Sequence, residues 1–206
     1  MKNFNRKTHW ENIYESKPLE TVSWYQSNPE TSLNFVSQFN LPTSAKIIDI
    51  GGGDSFFVDH LLELGYEDIT VVDISSVAIE RAKVRLGDKA NEVKWIVKDI
   101  SDFIPTAHYD FWHDRATFHF LTDQNEIDHY LKTTTKAISK NGILVIGTFS
   151  EQGPTQCSGI EIKQYSEQTM TDLFQNHFQK MGCITVDHTT PFNTTQNFVF
   201  CSFRKP

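Results

Sequence analysis

The stretch that begins at Lys46 constrains this chain most. KIIDI, DITVV and EVKWIV are short β-branched runs, and the segments between them carry apolar residues at a period near 3.6. Such alternation implies parallel strands joined by crossover helices, because a tight turn cannot close a parallel pair. The punctuation agrees: FFVDHLLEL stops on Gly65, while SSVAIERAKVRL starts at a Ser75 or Ser76 cap and stops on Gly87. A fourth strand is predicted over YDFWHD, Tyr109 to Asp114, followed by a helix over about Asp123 to Ile138. Asn141-Gly142 then turns the chain into a fifth strand, ILVIGTF. Upstream, THWENIYES and PETSLNFVSQF read as two helices, the second with Asn28 as cap and Pro29 in its first turn. After the loop SEQGPTQCSGIEIKQY and the helix SEQTMTDLFQNHF, the alternating runs CITVDH and NFVFCSF have only turn-length sequence between them, so they should pair antiparallel. The expected fold class is α/β: five parallel strands and a C-terminal antiparallel hairpin, built in 206 residues around a single core.

Charge narrows the partners. Lys and Arg number 19 against 26 Asp and Glu, a net charge of −7, and no basic run is present to meet a phosphate backbone or an anionic membrane. Neither nucleic acid nor membrane is an expected partner. No apolar run reaches spanning length, and MKNFNRKTHWENIYES carries no apolar h-region, so the expected location is cytoplasmic. Cys157, Cys183 and Cys201 are odd in number and form no C-x-x-C pair; reduced thiols are expected, with no structural metal. The sequence leaves the oligomeric state open.

The chemistry concentrates at the strand ends. Asp49 leads into Gly51, Gly52 and Gly53, in the first strand-to-helix turn, where open α/β sheets bind ligands. Glycine there accepts positive φ and admits the close approach of a ligand. A dinucleotide site wants G-x-G-x-x-G, and here Phe56 stands in the third glycine's place, against a pyrophosphate. Asp73, 24 residues beyond Asp49, ends the second strand and can accept both hydroxyls of a ribose lacking a 2′-phosphate. Asp99 ends the third strand, where its carboxylate can accept from an adenine amino group beside the amide of Ile100. Together the three strand ends describe an adenosyl ligand.

In these residues, Ile47 to Ser55, Asp73 with Ile74, Asp99-Ile100 and the terminal hairpin, the chain resembles the class I S-adenosylmethionine-dependent methyltransferases. The segments HWENIYESKPLETVSWYQ, YDFWHDRATFHFL and GTFSEQGPTQCSGI look like a bacterial group of that class with unassigned acceptors. The resemblance implies a Rossmann-like, doubly wound sheet of seven strands, mostly parallel, with an antiparallel C-terminal strand. It also implies S-adenosylmethionine as cofactor and methyl transfer by in-line displacement to a small-molecule or protein side-chain acceptor. Residues 1–45 would then be a helical cover, 46–150 the cofactor-binding half, and 151–206 an acceptor-side loop, helix and hairpin. DRAT at 114–117 is similar to an Asp-Lys-Gly-Thr segment of some protein-lysine methyltransferases, with Arg115 and Ala116 departing from it.

Asp49, Gly51, Gly53, Ser55, Asp73, Ile74, Asp99 and Ile100 are the candidate cofactor residues; Ser55 could equally cap the helix that follows. Trp24 and Tyr25, with Gln26, fall where the resemblance places a lid, and are either cofactor contacts or a packed anchor. His113 and Asp114 are the candidate catalytic pair, a base and its neighbouring carboxylate; satisfied core groups are the alternative. Arg115, His119 and Cys157 are candidate acceptor contacts, with Arg115 free to hold a carboxylate bidentately or to pair with a surface acid. A non-catalytic binder of the same cofactor and an NAD-dependent oxidoreductase remain as alternatives.

Overall fold

A computed structural model describes residues 4–206; residues 1–3, the start of the expected N-terminal cover, lie outside the described residues. Its centre is a seven-stranded sheet in the order β3-β2-β1-β4-β5-β9-β8. Strands β1 (Lys46–Ile50), β2 (Asp68–Asp73), β3 (Val93–Val97), β4 (Tyr109–Arg115) and β5 (Ile138–Phe149) run parallel. The hairpin β8 (Gln179–Thr189) and β9 (Thr195–Arg204) enters through β9, antiparallel to both neighbours. The expected mostly parallel α/β architecture with an antiparallel C-terminal strand is what the chain adopts.

Side chains alternate across the sheet, and each face is covered. One face carries Ile47, Phe111 and Val145 against Phe35 and Val36 of α2 (Glu30–Gln38) and Phe57 and Leu61 of α3 (Phe57–Glu63). The other carries Ile48, Trp112 and Leu144 against Tyr130 of α5 (Gln124–Ala137) and Phe174 of α6 (Glu167–Phe174). Helix α4 (Ser76–Leu86) begins where expected, with Ser75 Oγ accepting from Ala78 N, and ends on Gly87 at φ +58°. Helix α1 (Arg6–Ser16) lies across α4: Arg81 Nη1 donates to the carbonyl of Tyr14 at 2.8 Å.

Four local expectations are corrected. The cap of α2 falls on Pro29, and Asn28 supplies no side-chain cap bond. Asn141-Gly142 is an irregularity inside β5, which already starts at Ile138; Asn141 takes φ +64°, a conformation Asn tolerates, while the β4/β5 register shifts between Tyr109 and Phe111. The loop after β5 contains a ribbon, β6 (Gln156–Cys157) with β7 (Ile160–Glu161), turned by Ser158 at φ +51° and Gly159 at φ +78°. Finally, Cys183 and Cys201 are not reduced thiols: they face each other across β8 and β9 and are bonded, their Cα atoms 4.1 Å apart. Hairpin register brings them together over 18 residues of sequence, which spacing rules cannot see. Cys157 alone is free, and it is buried.

Candidate functional site

The strand order reverses between β1 and β4, and a cavity opens there at the carboxyl ends of the strands. Its empty space, counting the open mouth, is about 1150 Å³. Trp24, Tyr25, Asp49, Gly51, Ser55, Asp73, Ile74, Asp99, Ile100, His113, Arg115 and Cys157 all line it. Gly53, Asp114 and His119 do not.

The glycine turn is wedged tightly into its surroundings. Gly51 has φ +66°, its amide donates to Val72 O at 2.7 Å, and a Cβ there would sit 1.7 Å from Thr117 Oγ1. Gly53, at φ +48°, shapes the turn from behind the cavity wall: a Cβ would lie 2.9 Å from the Tyr14 hydroxyl and 3.0 Å from Asp73 Oδ2. Arg85, which the sequence did not single out, pins the next two residues by donating to the carbonyls of Asp54 and Ser55 at 2.7 and 2.8 Å. It also covers the Phe56 ring, 4.3 Å from its centroid, so the place of a third glycine is filled by a packed aromatic. Ser55 Oγ accepts from Phe57 N at 3.1 Å, the capping reading, while still facing the cavity.

Asp73 ends β2 with 5% of its surface exposed. Its Oδ1 accepts from Ser75 N at 2.8 Å; no hydrogen bond to Oδ2 is formed by the described residues. Burial, aided by the neighbouring acids Asp54, Asp49 and Glu11 and opposed by the Ser75 amide, pushes its carboxyl up to about 7. A desolvated carboxylate with one free oxygen at a cavity wall is what a pair of ligand hydroxyls would satisfy.

The third strand end differs from expectation. Asp99 does line the cavity, but it is already engaged: Ser101 N donates to Oδ1 at 2.9 Å, and Arg6 Nη1 lies 3.2 Å from both carboxylate oxygens. The other nitrogen of Arg6 reaches Glu126, so α1 closes over this end of the cavity through a guanidinium bridge. An adenine amino group would share Asp99 with Arg6 rather than find it free. Glu11 anchors the same helix, accepting from Ser75 Oγ, Ser76 N, Ser76 Oγ and Val77 N at the start of α4. Burial works to raise its pKa, and those hydrogen bonds outweigh it and hold the carboxyl down at about 2.

His113 and Asp114 part company, because successive strand residues point to opposite faces. His113 shares a face with Asp49, its register partner on β1; its Nδ1–H donates to Asp49 Oδ1 at 2.6 Å. In the neutral ring Nε2 then accepts from Ser32 Oγ of α2, 2.8 Å away, a contact with no sequence signal. The ring is sandwiched by Phe57 and Phe111. Asp114 points into the opposite core, wholly buried, and accepts from Thr117 N, Phe118 N and Tyr130 Oη. Burial raises its carboxyl to about 6 against those three donors. It fastens the turn after β4 and cannot reach a ligand in the cavity. The expected catalytic pair is therefore not a pair.

Arg115 returns to the cavity face. His119 stays out of it, packed between Phe120 and Phe149, its pKa brought down to about 3 by burial and by the charge of Arg115. Cys157 lies in the wall, its thiol pushed up to about 11 by burial. Trp24 completes the roof, edge-on to Trp10 at 5.7 Å and Tyr14 at 6.1 Å; Tyr25 meets Phe56 at 6.1 Å. These contacts are those of a packed anchor, set in residues that line the cavity.

Residues 48–144 match the sequence family described as a methyltransferase domain. The mouse eEF1A lysine and N-terminal methyltransferase is 28% identical over 128 residues, 61% of this chain and 18% of that protein. Malonyl-[acyl-carrier protein] O-methyltransferase 1 of Ilyobacter polytropus is 29% identical over 107 residues, 52% of this chain and 38% of that one. The chain thus spans well under half of the length of these curated relatives. Among solved structures, the N-methyltransferase NodS of Bradyrhizobium japonicum WM9 with S-adenosyl-L-homocysteine superposes with TM-score 0.66 at 18% identity, covering 95% of this chain and 99% of that one. A structure concerned with converting a disulfide into a thioacetal in echinomycin biosynthesis gives TM-score 0.77 at 17% identity, covering 97% and 92%. Residues 48–144 thus carry a methyltransferase-domain match within the fold that the superposed methyltransferase structure shares.

Proposed function

We propose that the protein transfers a methyl group from S-adenosylmethionine to a small-molecule or protein side-chain acceptor. The observation that carries the reading is Asp73, a buried carboxylate whose unbonded oxygen meets the cavity beside the Gly51–Gly53 turn, where a ribose diol would satisfy it. When bound, S-adenosylmethionine supplies an electrophilic methyl on a sulfonium, and its leaving group is a neutral thioether. The chain's own contribution is positional. Asp73 would hold the ribose, the Gly51 turn and Ser55 would line the methionyl side, Ile74 and Ile100 would sandwich the base, and Asp99 would share its amino group with Arg6. Trp24 and Tyr25, carried on the α1–α2 connection, would exclude water above the reacting centre.

Among the described residues, neither candidate base on the acceptor side of the cavity wall is poised to remove a proton. His113 spends both ring nitrogens on Asp49 and Ser32, and the Cys157 thiol stays protonated at neutral pH. We therefore assign His113 to positioning the β1 and β4 strand ends, and read the acceptor as one that arrives already nucleophilic. Trp24, Arg115 and Cys157 form its side of the cavity. Names among the relatives, an eEF1A lysine and N-terminal methyltransferase and a malonyl-carrier O-methyltransferase, support both protein and small-molecule acceptors as classes to screen. The net charge of −7 favours neither nucleic acid nor an anionic membrane, and no helix among the described residues is long and apolar enough to cross a membrane.

The test is calorimetric titration with S-adenosylmethionine, S-adenosylhomocysteine and, separately, NAD. Binding of the first two alone, lost in Asp73→Ala, supports the reading and justifies a screen with labelled methyl donor; binding of NAD instead, or of none, sinks it. A cytoplasmic location belongs to the same proposal, and the Cys183–Cys201 pair tests it. Alkylation of intact cells that traps both cysteines as thiols would support that location, whereas recovery of the disulfide seen in the structure places the chain in an oxidising compartment.

A further inference from the structure

Two arginines line the cavity, Arg6 and Arg115, and two more, Arg81 and Arg85, lie behind its wall; three of these four hold a carboxylate, Arg6 pairing with Asp99 and Glu126, Arg81 with Asp54, and Arg85 with Asp59. Arg115 forms no ion pair among the described residues. Its Nη1 makes one long bond, 3.3 Å, to the carbonyl of Trp24, and its Nη2 is buried without any hydrogen-bond partner. The guanidinium carbon lies 5.0 Å from the Phe198 ring, so the side chain reaches from β4 past β5 toward β9, away from the Asp73 and Asp99 ends of β2 and β3. Its surroundings leave its charge unbalanced. Burial and Arg115 itself keep His119 neutral; burial, again with Arg115, lowers His188; and Cys157 is a thiol. Asp49, the carboxylate whose charge still reaches it, is committed to His113.

A largely buried cation with no counter-charge is costly, and a planar fork with one unpartnered nitrogen, on a residue that lines the cavity, is the donor set that matches a carboxylate. We propose that the methyl acceptor carries a carboxylate, and that Arg115 seats it on the β4–β5–β9 side of the cavity, against Phe198 and Trp24. The carboxylate anchors the acceptor and sets which of its atoms faces the methyl group. This rests on the methyltransferase reading for the word acceptor, while the anion subsite stands on the Arg115 geometry alone.

The experiment uses the full chain loaded with S-adenosylhomocysteine, titrated with acetate, succinate and benzoate and with their neutral amides, and read by NMR shift and calorimetry. At least one carboxylate should bind the wild type at least tenfold more tightly than its amide. Arg115→Gln should abolish that preference and Arg115→Lys should keep part of it, each variant being checked for an unchanged melting temperature. If no carboxylate binds, or if amides bind as well, the proposal is overturned by the wild type alone, whatever the folding of the variants. A second source of the same chemistry, the cofactor's own carboxylate, is separated by comparing S-adenosylhomocysteine with 5′-methylthioadenosine, which lacks it. If Arg115→Gln weakens the former tenfold and leaves the latter unchanged, Arg115 serves the cofactor and the acceptor assignment falls. Failure of S-adenosylhomocysteine to bind the wild type would sink the methyltransferase reading instead, and the carboxylate arm is then read on the free protein.

Discussion

Around β1, β2 and β3 the charged groups that line the cavity are mostly paired within the protein, whereas beside β4, β5 and β9 the guanidinium that lines it has no ion pair among the described residues. On the first side Asp99 is bridged by Arg6, Asp54 is paired with Arg81, and Ser75 with Ser76 is tied to Glu11. One carboxylate oxygen, on Asp73, is left for a ligand. On the second side Arg115 Nη2 is buried with no hydrogen-bond partner among the described residues; His119, Thr148 and Tyr165 also carry unpaired buried atoms, but none of them lines the cavity. A ligand of fixed structure lets a site be preorganised around one open position, as on the nucleoside side. The other side leaves one guanidinium without a counter-charge, beside the Phe198 ring, which suits a second ligand whose charge completes it. His113 sits at the boundary, joining β1 to β4.

The largest expected effect is at that boundary. His113→Phe removes the hydrogen-bond donor to Asp49 and leaves a carboxylate of 3% exposure without it. Losing a donor to a buried charged group costs about 3 kcal/mol, so the melting temperature should fall by roughly 10 °C. Activity per folded molecule should persist in His113→Asn, which keeps a donor toward Asp49. Loss of turnover without loss of stability would make His113 a catalytic base, and the two sides of the cavity would no longer divide at this residue.

Next comes the open position itself. Asp73→Ala should weaken S-adenosylhomocysteine by about 100-fold, the value of two hydrogen bonds to a charged group, and leave the Arg115 subsite untouched. The melting temperature should change little, because the lost Ser75 bond is offset by removal of a desolvated carboxyl. Equal weakening of a carboxylate probe would mean that the two sides are one coupled site.

The two sides were also unequally legible. The nucleoside side reads from the sequence because its elements are local: a strand run, a glycine turn and an acid at each strand end, all fixed by periodicities of 2 and 3.6. The acceptor side depends on parity and on distance. His113, Asp114 and Arg115 are adjacent letters, but nothing in the letters says which sheet face holds the cavity, so the sequence alone does not separate Asp114 from the neighbours it turns away from. Arg6 meets Asp99 across 93 positions, and Ser32 meets His113 across 81. The Cys183–Cys201 bond follows from a register that only the folded hairpin defines. Local chemistry was readable; pairings set by tertiary packing were not.

A backbone prediction probes how rigid the nucleoside side is. Gly51→Ala must keep φ +66° with a Cβ 1.7 Å from Thr117 Oγ1, so either the turn or Thr117 shifts. The cost should be about 2 kcal/mol in chemical denaturation, with cofactor binding weakened in step. Adding Thr117→Ala should restore part of the loss, although it also removes the Thr117 bond to Ile50 O. Full loss in the double variant would place the strain in the backbone alone.

The smallest effect follows from the pKa of Asp73, and it distinguishes a preorganised carboxylate from a merely buried one. The carboxyl sits at about 7 in the folded protein against an ordinary value of 3.8, with burial as the main cause. The folded state therefore holds the proton over that interval, so this group makes the free protein less stable as pH rises from about 4 to 7 and has no further effect above. Ligand binding runs the other way, because accepting two hydroxyls requires the ionised form. 5′-Methylthioadenosine, which lacks the titrating amine and carboxylate of the full cofactor, should bind about tenfold more weakly at pH 6 than at pH 8. Asp73→Asn should bind weakly at both pH values and show no slope. A wild-type slope that survives in Asp73→Asn would move the titrating group elsewhere, with Arg6-bridged Asp99 the next to test, and would mean that the nucleoside side keeps more than one position open.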